Sequence, residues 1–233
     1  MEYLKGNFLH NFVSLFKLGI KGELKNKERM VSPFILGSII LIMFSFAIGE
    51  LEPELKLKFF TAELFLTTLF SLSIYFIRAF EIEHEDGIFS QMRVLPMSRI
   101  AWFLSKFSLV AMLSFLTSLV VLIIAAAFIG LNSDIIFANF IQITLILSLT
   151  IAGLTSIGVL LSAVTLKAKG RSVVFPLLYY PLTVPVLLAG TQSVNLLLFK
   201  GTSLFSNQWG LLLAGFDLIY FILSALLFEE LVD

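Results

Sequence analysis

The residues best suited to chemistry lie in one short charged segment of an otherwise apolar chain. Glu81, Glu83, Glu85 and Asp86 surround His84, and Gly87 follows them. Carboxylates beside a histidine could hold a metal ion, but no second His or Cys lies nearby to complete a ligand set. This pattern argues against a metal site.

The signatures of enzymatic chemistry are missing from the sequence. It has no H-E-x-x-H, no G-x-S-x-G and no G-x-x-x-x-G-K-[ST] phosphate loop. Zero Cys removes disulfides and thiolate sites, and a net charge of zero argues against nucleic acid as a partner. If the protein uses ATP, another chain must bind it.

The composition places these charged residues on a polytopic membrane protein. Hydrophobic residues make up 58% of the chain and charged residues only 14%, and the mean hydropathy is +0.99. A soluble fold of this composition would expose large apolar patches. Because the apolar runs are continuous, they favour transmembrane helices over a membrane β-barrel.

Six apolar windows meet or approach the roughly 20 residues that a helix needs to cross the hydrocarbon. The sequence therefore predicts an all-α fold of six transmembrane helices in a single domain, residues 1–233. The third and fourth windows are long, so we expect them to tilt or to extend beyond the bilayer. The windows are Pro33–Gly49, Phe59–Phe80, Ile100–Ile129, Ile135–Leu166, Val173–Gly190 and Trp209–Phe228.

The connection between the second and third spans, residues 80–99, is longer than a simple turn requires. After the acidic residues and Gly87, an apolar set of Ile88, Phe89, Met92, Val94 and Leu95 runs up to Pro96. This pattern predicts a short amphipathic helix that a cytosolic motor protein could bind. The alternative is a solvated loop that its charges hold out of the bilayer.

Lys and Arg residues set the orientation, because short cytoplasmic loops retain them. They precede the first span and occur again after the second and fourth spans, whereas few fall on the other side. Both termini and the charged segment are therefore predicted to be cytoplasmic. The basic residues on this side are Lys5, Lys17, Lys21, Lys25, Lys27, Arg29, Arg78, Arg93, Arg99, Lys106, Lys167, Lys169 and Arg171.

Residues 1–30 predict an amphipathic helix on the inner leaflet. Phe8, Phe12, Phe16 and Ile20 repeat every four residues, with polar residues such as Lys17 opposite. It is either a basic anchor that directs insertion or an elbow that moves during transport, and the two roles are compatible. His10 falls on the polar face, where a lone histidine is better explained by solvation than by ligation.

The fifth span contains Pro176, Pro181 and Pro185, each of which removes a helical hydrogen bond. We expect breaks in this helix that serve either as a hinge or as fixed kinks for packing. The following stretch, Asn195–Phe205, is too short to span and predicts a re-entrant or interfacial segment.

Asp217 lies inside the sixth window, where an ionisable group costs about 2.5 to 3.5 kcal/mol on insertion scales. It should therefore face protein or water, and Tyr179 or Tyr180 at similar depth could donate hydrogen bonds to it. Its role is either in transport or structural, and the structural alternatives are a buried hydrogen bond or a protonated, neutral Asp. Glu63 lies nearer a membrane boundary, and we expect it to snorkel.

Two motifs together resemble the CcmB family, the membrane permease of the ABC-type haem exporter of cytochrome c maturation. The first is the acidic stretch ending in Asp86-Gly87, followed at a distance by Leu95-Pro96. The second is Lys169-Gly170-Arg171-Ser172-Val173, which runs into Phe175-Pro176, Pro181 and Pro185. The resemblance covers nearly the whole chain.

The resemblance implies a transport subunit of the cell inner membrane rather than an enzyme. Two copies of the chain would pair with two copies of a cytosolic ATPase that holds ATP and Mg²⁺, beside a haem-handling membrane subunit, a small accessory membrane subunit and a haem chaperone. Haem would be the cargo of the complex, with no cofactor bound by this chain. The residues implied in contact with the ATPase are Glu81, Glu83, Glu85, Asp86, Gly87, Phe89, Met92, Leu95 and Pro96, and those implied in translocation or hinge motion are Phe175, Pro176, Tyr179, Tyr180, Pro181, Pro185 and Asp217.

Two other classes stay open. A permease of the same general type could export a lipid, a polysaccharide or a drug, with the same charged segment and basic loops. A membrane scaffold without transport activity would tolerate changes in the charged segment and have no nucleotide-dependent partner.

Overall fold

The computed structural model describes residues 8–49, 52–85, 98–128, 133–166 and 168–232, and every regular element in these ranges is helical. In chain order the α-helices are α1 (Phe8–Lys25), α2 (Lys27–Ile48), α3 (Pro53–Ile77), α4 (Glu81–Glu85), α5 (Arg99–Phe128), α6 (Ser133–Ala138), α7 (Phe140–Thr165), α8 (Arg171–Lys200) and α9 (Gln208–Val232). A short 3₁₀ turn, Leu204–Ser206, precedes α9.

Within these ranges, six helices are long and apolar enough to cross a membrane, namely α2, α3, α5, α7, α8 and α9. The predicted fold class, all-α with six spans, is confirmed. Helices α3 and α7 are the most buried, whereas α2 and α9 expose most of their surface, as helices that face lipid do. The chain is a multi-pass membrane protein.

The spans pack closely because small residues let neighbouring helices approach. A Cβ added to Gly158 of α7 would lie 2.5 Å from the Phe76 ring of α3, and one added to Gly190 of α8 would lie 2.5 Å from Thr150 Oγ1 of α7. Helix α7 thereby lies between α3, α8 and α9, with α5 also packed against it.

Three of the predicted boundaries are wrong. Helix α2 begins at Lys27 rather than at Pro33, which lies inside the helix. The fourth window is divided at Asn139 into the short α6 and the span α7. Helix α8 continues from Arg171 to Lys200, so that Asn195–Lys200 belongs to the span and is not a separate interfacial segment.

Helix α8 also runs without interruption through Pro176, Pro181 and Pro185, so the expected breaks in its helical structure are absent. It is bounded by two glycines in the left-handed conformation, Gly170 with φ of 79° and Gly201 with φ of 63°. The Gly201 amide donates to the carbonyl of Leu197 at 3.0 Å, a common way to end a helix.

The predicted amphipathic helix is present as α1. Phe16 and Ile20, on its apolar side, pack against the buried core of the bundle. Gly19 lies so close to α5 that a Cβ there would be 2.6 Å from Leu109 Cδ2. Leu9, Leu18 and Leu24 remain exposed, which leaves a second apolar surface for the lipid.

Candidate functional site: a charge cluster at one end of the bundle

One end of the bundle, here called the basic end, gathers six charged side chains from helices far apart in the sequence. They form what we call the charge cluster: Glu23 of α1, Arg29 of α2, Arg78 after α3, Glu81 and Glu83 of α4, and Lys106 of α5. The charge cluster includes the first residues of the charged segment, whose residues 86–97 lie outside the described ranges.

Ion pairs join α4 to two spans. Glu81 Oε2 lies 3.1 Å from Arg29 Nη2 and 4.0 Å from Arg78 Nε, and Glu83 Oε1 pairs with Lys106 Nζ. The Glu83 and Lys106 side chains are only 14% and 8% exposed. Such a buried pair holds α4 firmly to α5, because separating it would leave an uncompensated charge.

Aromatic rings support the same region. Lys106 Nζ lies 5.5 Å from the centre of the Phe80 ring, a cation–π geometry. Phe80, Trp102 and Phe228 contact one another with ring centres 5.6 to 5.8 Å apart. Since Phe228 is near the end of α9, the start of the charged segment is also packed against the last span.

Helix α1 contributes Glu23 to the cluster. Burial raises the pKa of Glu23 above its ordinary value, although Lys106 and Arg29 pull the pKa down. Glu23, Arg29, Tyr75 and Arg78 line a small cavity. The acid therefore lies where α1, α2 and α3 meet.

Arg171 ties α8 to the same end. Its guanidinium donates to the carbonyl of Ile77, the last residue of α3, and to Ser162 Oγ of α7 at 3.1 Å. The basic motif before the fifth span therefore has a structural partner, next to the point where the charged segment begins.

Deeper in the bundle, Asp217 is 8% exposed, and neither of its carboxyl oxygens has a hydrogen-bond partner among the described residues. It lies over Gly153 of α7, where a Cβ would collide with Asp217 Oδ1 and lie 3.1 Å from Val186 Cγ1. The expected hydrogen bonds from Tyr179 and Tyr180 to Asp217 are not formed.

The comparison with known families agrees with this architecture. The family model described as CcmB protein matches residues 10–230 of the chain. The chain belongs to the CcmB family. No curated protein sequence matches it.

Membership in the CcmB family makes the chain a membrane permease of an ABC-type haem exporter, a transport component rather than a catalytic one. The family implies an ATPase partner and other components of cytochrome c maturation. The match covers all six spans and the charge cluster.

Within this CcmB chain, the predicted ATPase contacts are described only in part. Glu81 and Glu83 face the protein's own arginine and lysine side chains, while His84 is exposed. The contacts of the Glu85 side chain and of Asp86, Gly87, Phe89, Met92, Leu95 and Pro96 lie outside the described residues. The described part of the chain contains no group of three His, Cys, Asp or Glu able to hold a metal.

The predicted translocation residues of α8 lie together on one helix. Phe175 and Tyr179 are buried and stack with ring centres 5.2 Å apart, and Tyr179 also contacts Phe76 of α3 at 5.4 Å. Tyr180 contacts Phe70 of α3 at 5.7 Å. These aromatic contacts join α8 to α3, whereas the hinge role of the prolines stays a prediction.

Sequence reasoning missed several partners. Arg29, Lys106 and Arg171 were identified only as basic residues that set orientation, and their ion pairs and hydrogen bonds were not foreseen. Glu63 was expected to snorkel, which is wrong, because its side chain is 2% exposed and its carboxyl oxygens have no partner in the described ranges. The repeat of Thr67 and Ser71 after Glu63 was a signal that could have shown a buried polar face.

Proposed function

We propose that this chain couples ATP hydrolysis on a cytosolic ATPase to haem export or delivery to a haem chaperone during cytochrome c maturation. Residues 80–99 would be the coupling segment that lies in a groove of the ATPase. The observation that carries this proposal is the attachment of α4 to α2 and α5 through Arg29–Glu81 and Lys106–Glu83. A segment fixed in this way can pass movement into the spans.

The basic end would face the cytoplasm of a cell with an inner membrane. Arg29, Arg78, Lys106 and Arg171 converge there, and the positive-inside rule places such residues on the cytoplasmic side. Helices α1 and α9 have their charged ends at the same side, so both termini would be cytoplasmic.

The mechanism begins when the ATPase closes on ATP and Mg²⁺ and displaces the coupling segment. Glu81 then transmits the displacement to α2 through Arg29, and Glu83 transmits it to α5 through Lys106. Arg171 links the end of α3 to α8, so the proline-containing span receives the same movement. Two copies of the chain with two ATPase subunits would complete the transporter.

Haem is the proposed cargo, and we assign haem ligation to another membrane subunit. His10 and His84 are the chain's histidines, and both fall at the cytoplasmic end of the proposed topology. Buried aromatic residues of α8, Phe175 and Tyr179, together with Asp217 of α9, would take part in the conformational change rather than bind iron.

The first test is co-purification of the ATPase from the native membrane in mild detergent, with Asp86→Lys and Phe89→Ala in the coupling segment. Glu54→Lys at the opposite end of the bundle is the matched control, because its side chain is 71% exposed. We expect both segment variants to lose the ATPase and holo-cytochrome c while the control keeps both. Normal ATPase recovery in both segment variants would contradict the proposal and favour a scaffold.

A charge swap separates a positioning role of Glu83 from direct contact with the ATPase. Glu83→Lys alone would place two cations together in a buried site, whereas Glu83→Lys combined with Lys106→Glu restores an ion pair. We expect the swap to recover ATPase binding. If the ATPase bound the Glu83 carboxylate directly, the swap would stay defective.

Cargo is tested separately. Deletion of the chain should abolish holo-cytochrome c formation if haem is exported or delivered. The contrary result is normal holo-cytochrome c in the deletion strain, while the wild-type chain still co-purifies with the ATPase. This result would indicate export of a lipid, a polysaccharide or a drug.

A further inference from the structure

Helix α3 carries a row of polar side chains that ends at a buried acid. Glu63, Thr67, Ser71 and Tyr75 are spaced four residues apart, which places neighbours about 5 to 6 Å apart at Cβ along one side of the helix. All of them are buried. The position four residues before Glu63 is Phe59, which is apolar. The polar row therefore ends at Glu63.

Glu63 is the most unusual member of the row. It lies about 15 Å along the axis from the first residue of α3, at 1.5 Å per residue, too deep for its carboxyl group to reach the surface. Neither of its oxygens has a hydrogen bond or ion pair among the described residues. No described charged group faces it from α2, α5, α7 or α8, the spans packed against α3. An ionised carboxylate in such a place is strongly disfavoured, because neither an opposite charge nor a hydrogen bond offsets the loss of its hydration.

The row differs from ordinary serine and threonine packing in membrane helices. Most of those hydroxyls donate to a carbonyl one turn earlier, as Ser71 does to Thr67 at 2.7 Å. The Thr67 hydroxyl has no such partner in the described structure. It is therefore available to a neighbour on the same side of α3, between Glu63 and Ser71.

Gly37 of α2 allows close packing of α2 against the row. A Cβ at this position would lie 2.7 Å from Ser71 Oγ and 3.6 Å from Thr67 Cγ2. Any larger residue would press on the hydroxyls. The glycine thus lets α2 pack directly against the middle of the row, where Thr67 and Ser71 are fully buried.

At the basic end the row meets the small cavity of the charge cluster. The Tyr75 hydroxyl lies 3.0 Å from Thr117 Oγ1 and donates to the carbonyl of Met30 at 3.2 Å. Tyr75 also lines this cavity, together with Glu23, Arg29 and Arg78. The cavity has room for about one water molecule. The polar row therefore extends along α3 from the charge cluster to Glu63, although no hydrogen bond joins the Thr67 hydroxyl to Glu63 or to Ser71 in the described structure.

We propose that Glu63 is a proton-binding site that exchanges its proton with the basic end through Thr67, Ser71 and Tyr75. A hydronium ion at the cavity gives one proton to the row and becomes water. Rotation of the Thr67 and Ser71 side chains must first bring neighbouring oxygens within hydrogen-bond distance, because the Thr67 hydroxyl is unpaired in the described structure. Each hydroxyl then accepts a proton on its oxygen and passes on its own, and the Glu63 carboxylate becomes a carboxylic acid. Because the row ends at Glu63, the site loads and unloads from one side.

The test is infrared spectroscopy of the purified chain in lipid nanodiscs, which needs neither the ATPase nor haem. The carboxylic-acid C=O band is followed during a pH titration in the wild type, Glu63→Gln and Asp217→Asn. We expect a component of this band that disappears as pH rises, is lost in Glu63→Gln and is retained in Asp217→Asn and in Glu23→Gln. If Glu63→Gln does not fold, Glu63→Asp should shift the band. A titrating band that survives unchanged in the Glu63 variant would overturn the site.

The pathway is tested by hydrogen–deuterium exchange of the same band. Thr67→Val keeps the size of the side chain and removes the hydroxyl, and we expect exchange several-fold slower than in the wild type. Thr68→Val is the matched control, because Thr68 is equally buried and unpaired but points to another side of α3. Equal exchange in the two variants would contradict a route through Thr67. A failure of the haem or ATPase proposals would leave both measurements unaffected.

Discussion

Breaking the Lys106–Glu83 ion pair should destabilise the protein far more than breaking an exposed pair. The two side chains are 8% and 14% exposed, and removing one member of a buried pair costs about 3–5 kcal/mol. Lys58 and Glu54, at the other end of the bundle, form the control pair at 3.0 Å with exposures of 56% and 71%. An exposed pair four residues apart contributes about 0.3–0.5 kcal/mol.

The free energy of unfolding is measured by circular dichroism during titration with SDS in mixed micelles. Lys106→Met and Glu83→Gln are each compared with the wild type and with the double variant. We expect each single variant to lose about 3 kcal/mol, and the double variant to lose less than the sum, because it leaves no unpaired charge. Lys58→Met should lose less than about 0.5 kcal/mol.

Two outcomes would refute this reasoning. If Lys106→Met cost no more than Lys58→Met, the charge cluster would be hydrated rather than buried. If the losses in the double variant were simply additive, the two residues would not act as a pair. In either case α4 would not be held to α5 as the proposed mechanism requires.

The remaining predictions concern packing and pH. Gly153→Ala should destabilise by about 1–3 kcal/mol through collision with Asp217, and adding Asp217→Ala should recover part of this loss in thermal unfolding. Gly210→Ala should destabilise the protein more than Gly153→Ala does. The added Cβ would collide with a backbone carbonyl of the 3₁₀ turn, and a backbone group cannot rotate away as a side chain can. A melting temperature equal to that of the wild type would contradict this prediction. Because burial raises the pKa of Glu23 in the folded state, its contribution to stability is complete below the unfolded value near 4.5 and is lost as pH rises through the folded value. Glu23→Gln should therefore flatten the decline of stability with rising pH above 4.5, and a slope equal to that of the wild type would contradict this.

Much of the fold was predictable because a span needs only length and hydropathy, and both are local properties. The boundary errors arose where a tertiary contact offset a local penalty. Helix α2 begins at charged residues that hydropathy excludes, yet Arg29 there is paired with Glu81. The predicted fifth span ended at Gly190, but α8 continues through the polar Asn195, whose side-chain oxygen accepts a hydrogen bond from Thr61 of α3 at 2.7 Å.

The charge cluster was less predictable. A run of acidic residues usually indicates solvent exposure, and nothing local to Glu81 or Glu83 shows that Arg29 and Lys106 approach them. Such pairing depends on how the helices pack, which is not a local property of the sequence. Glu63 was misjudged for a similar reason, since its depth depends on where α3 begins.

The fixed contacts of α8 restrict where this helix could bend during transport. Arg171 holds its first turn to the end of α3, and the Tyr220 hydroxyl of α9 donates to the carbonyl of Leu182 at 3.0 Å. Between these two attachments, Pro176 and Pro181 each remove a backbone donor, so bending there breaks fewer hydrogen bonds than elsewhere in the helix. Movement of α3 relative to α9 would therefore be absorbed between residues 171 and 182. Pro185 lies beyond the second attachment, so Pro181→Ala should slow ATP turnover by the complex more than Pro185→Ala. The reverse order would place the bend at Pro185 and contradict this assignment, whereas no effect of either substitution would mean that α8 moves as a rigid rod.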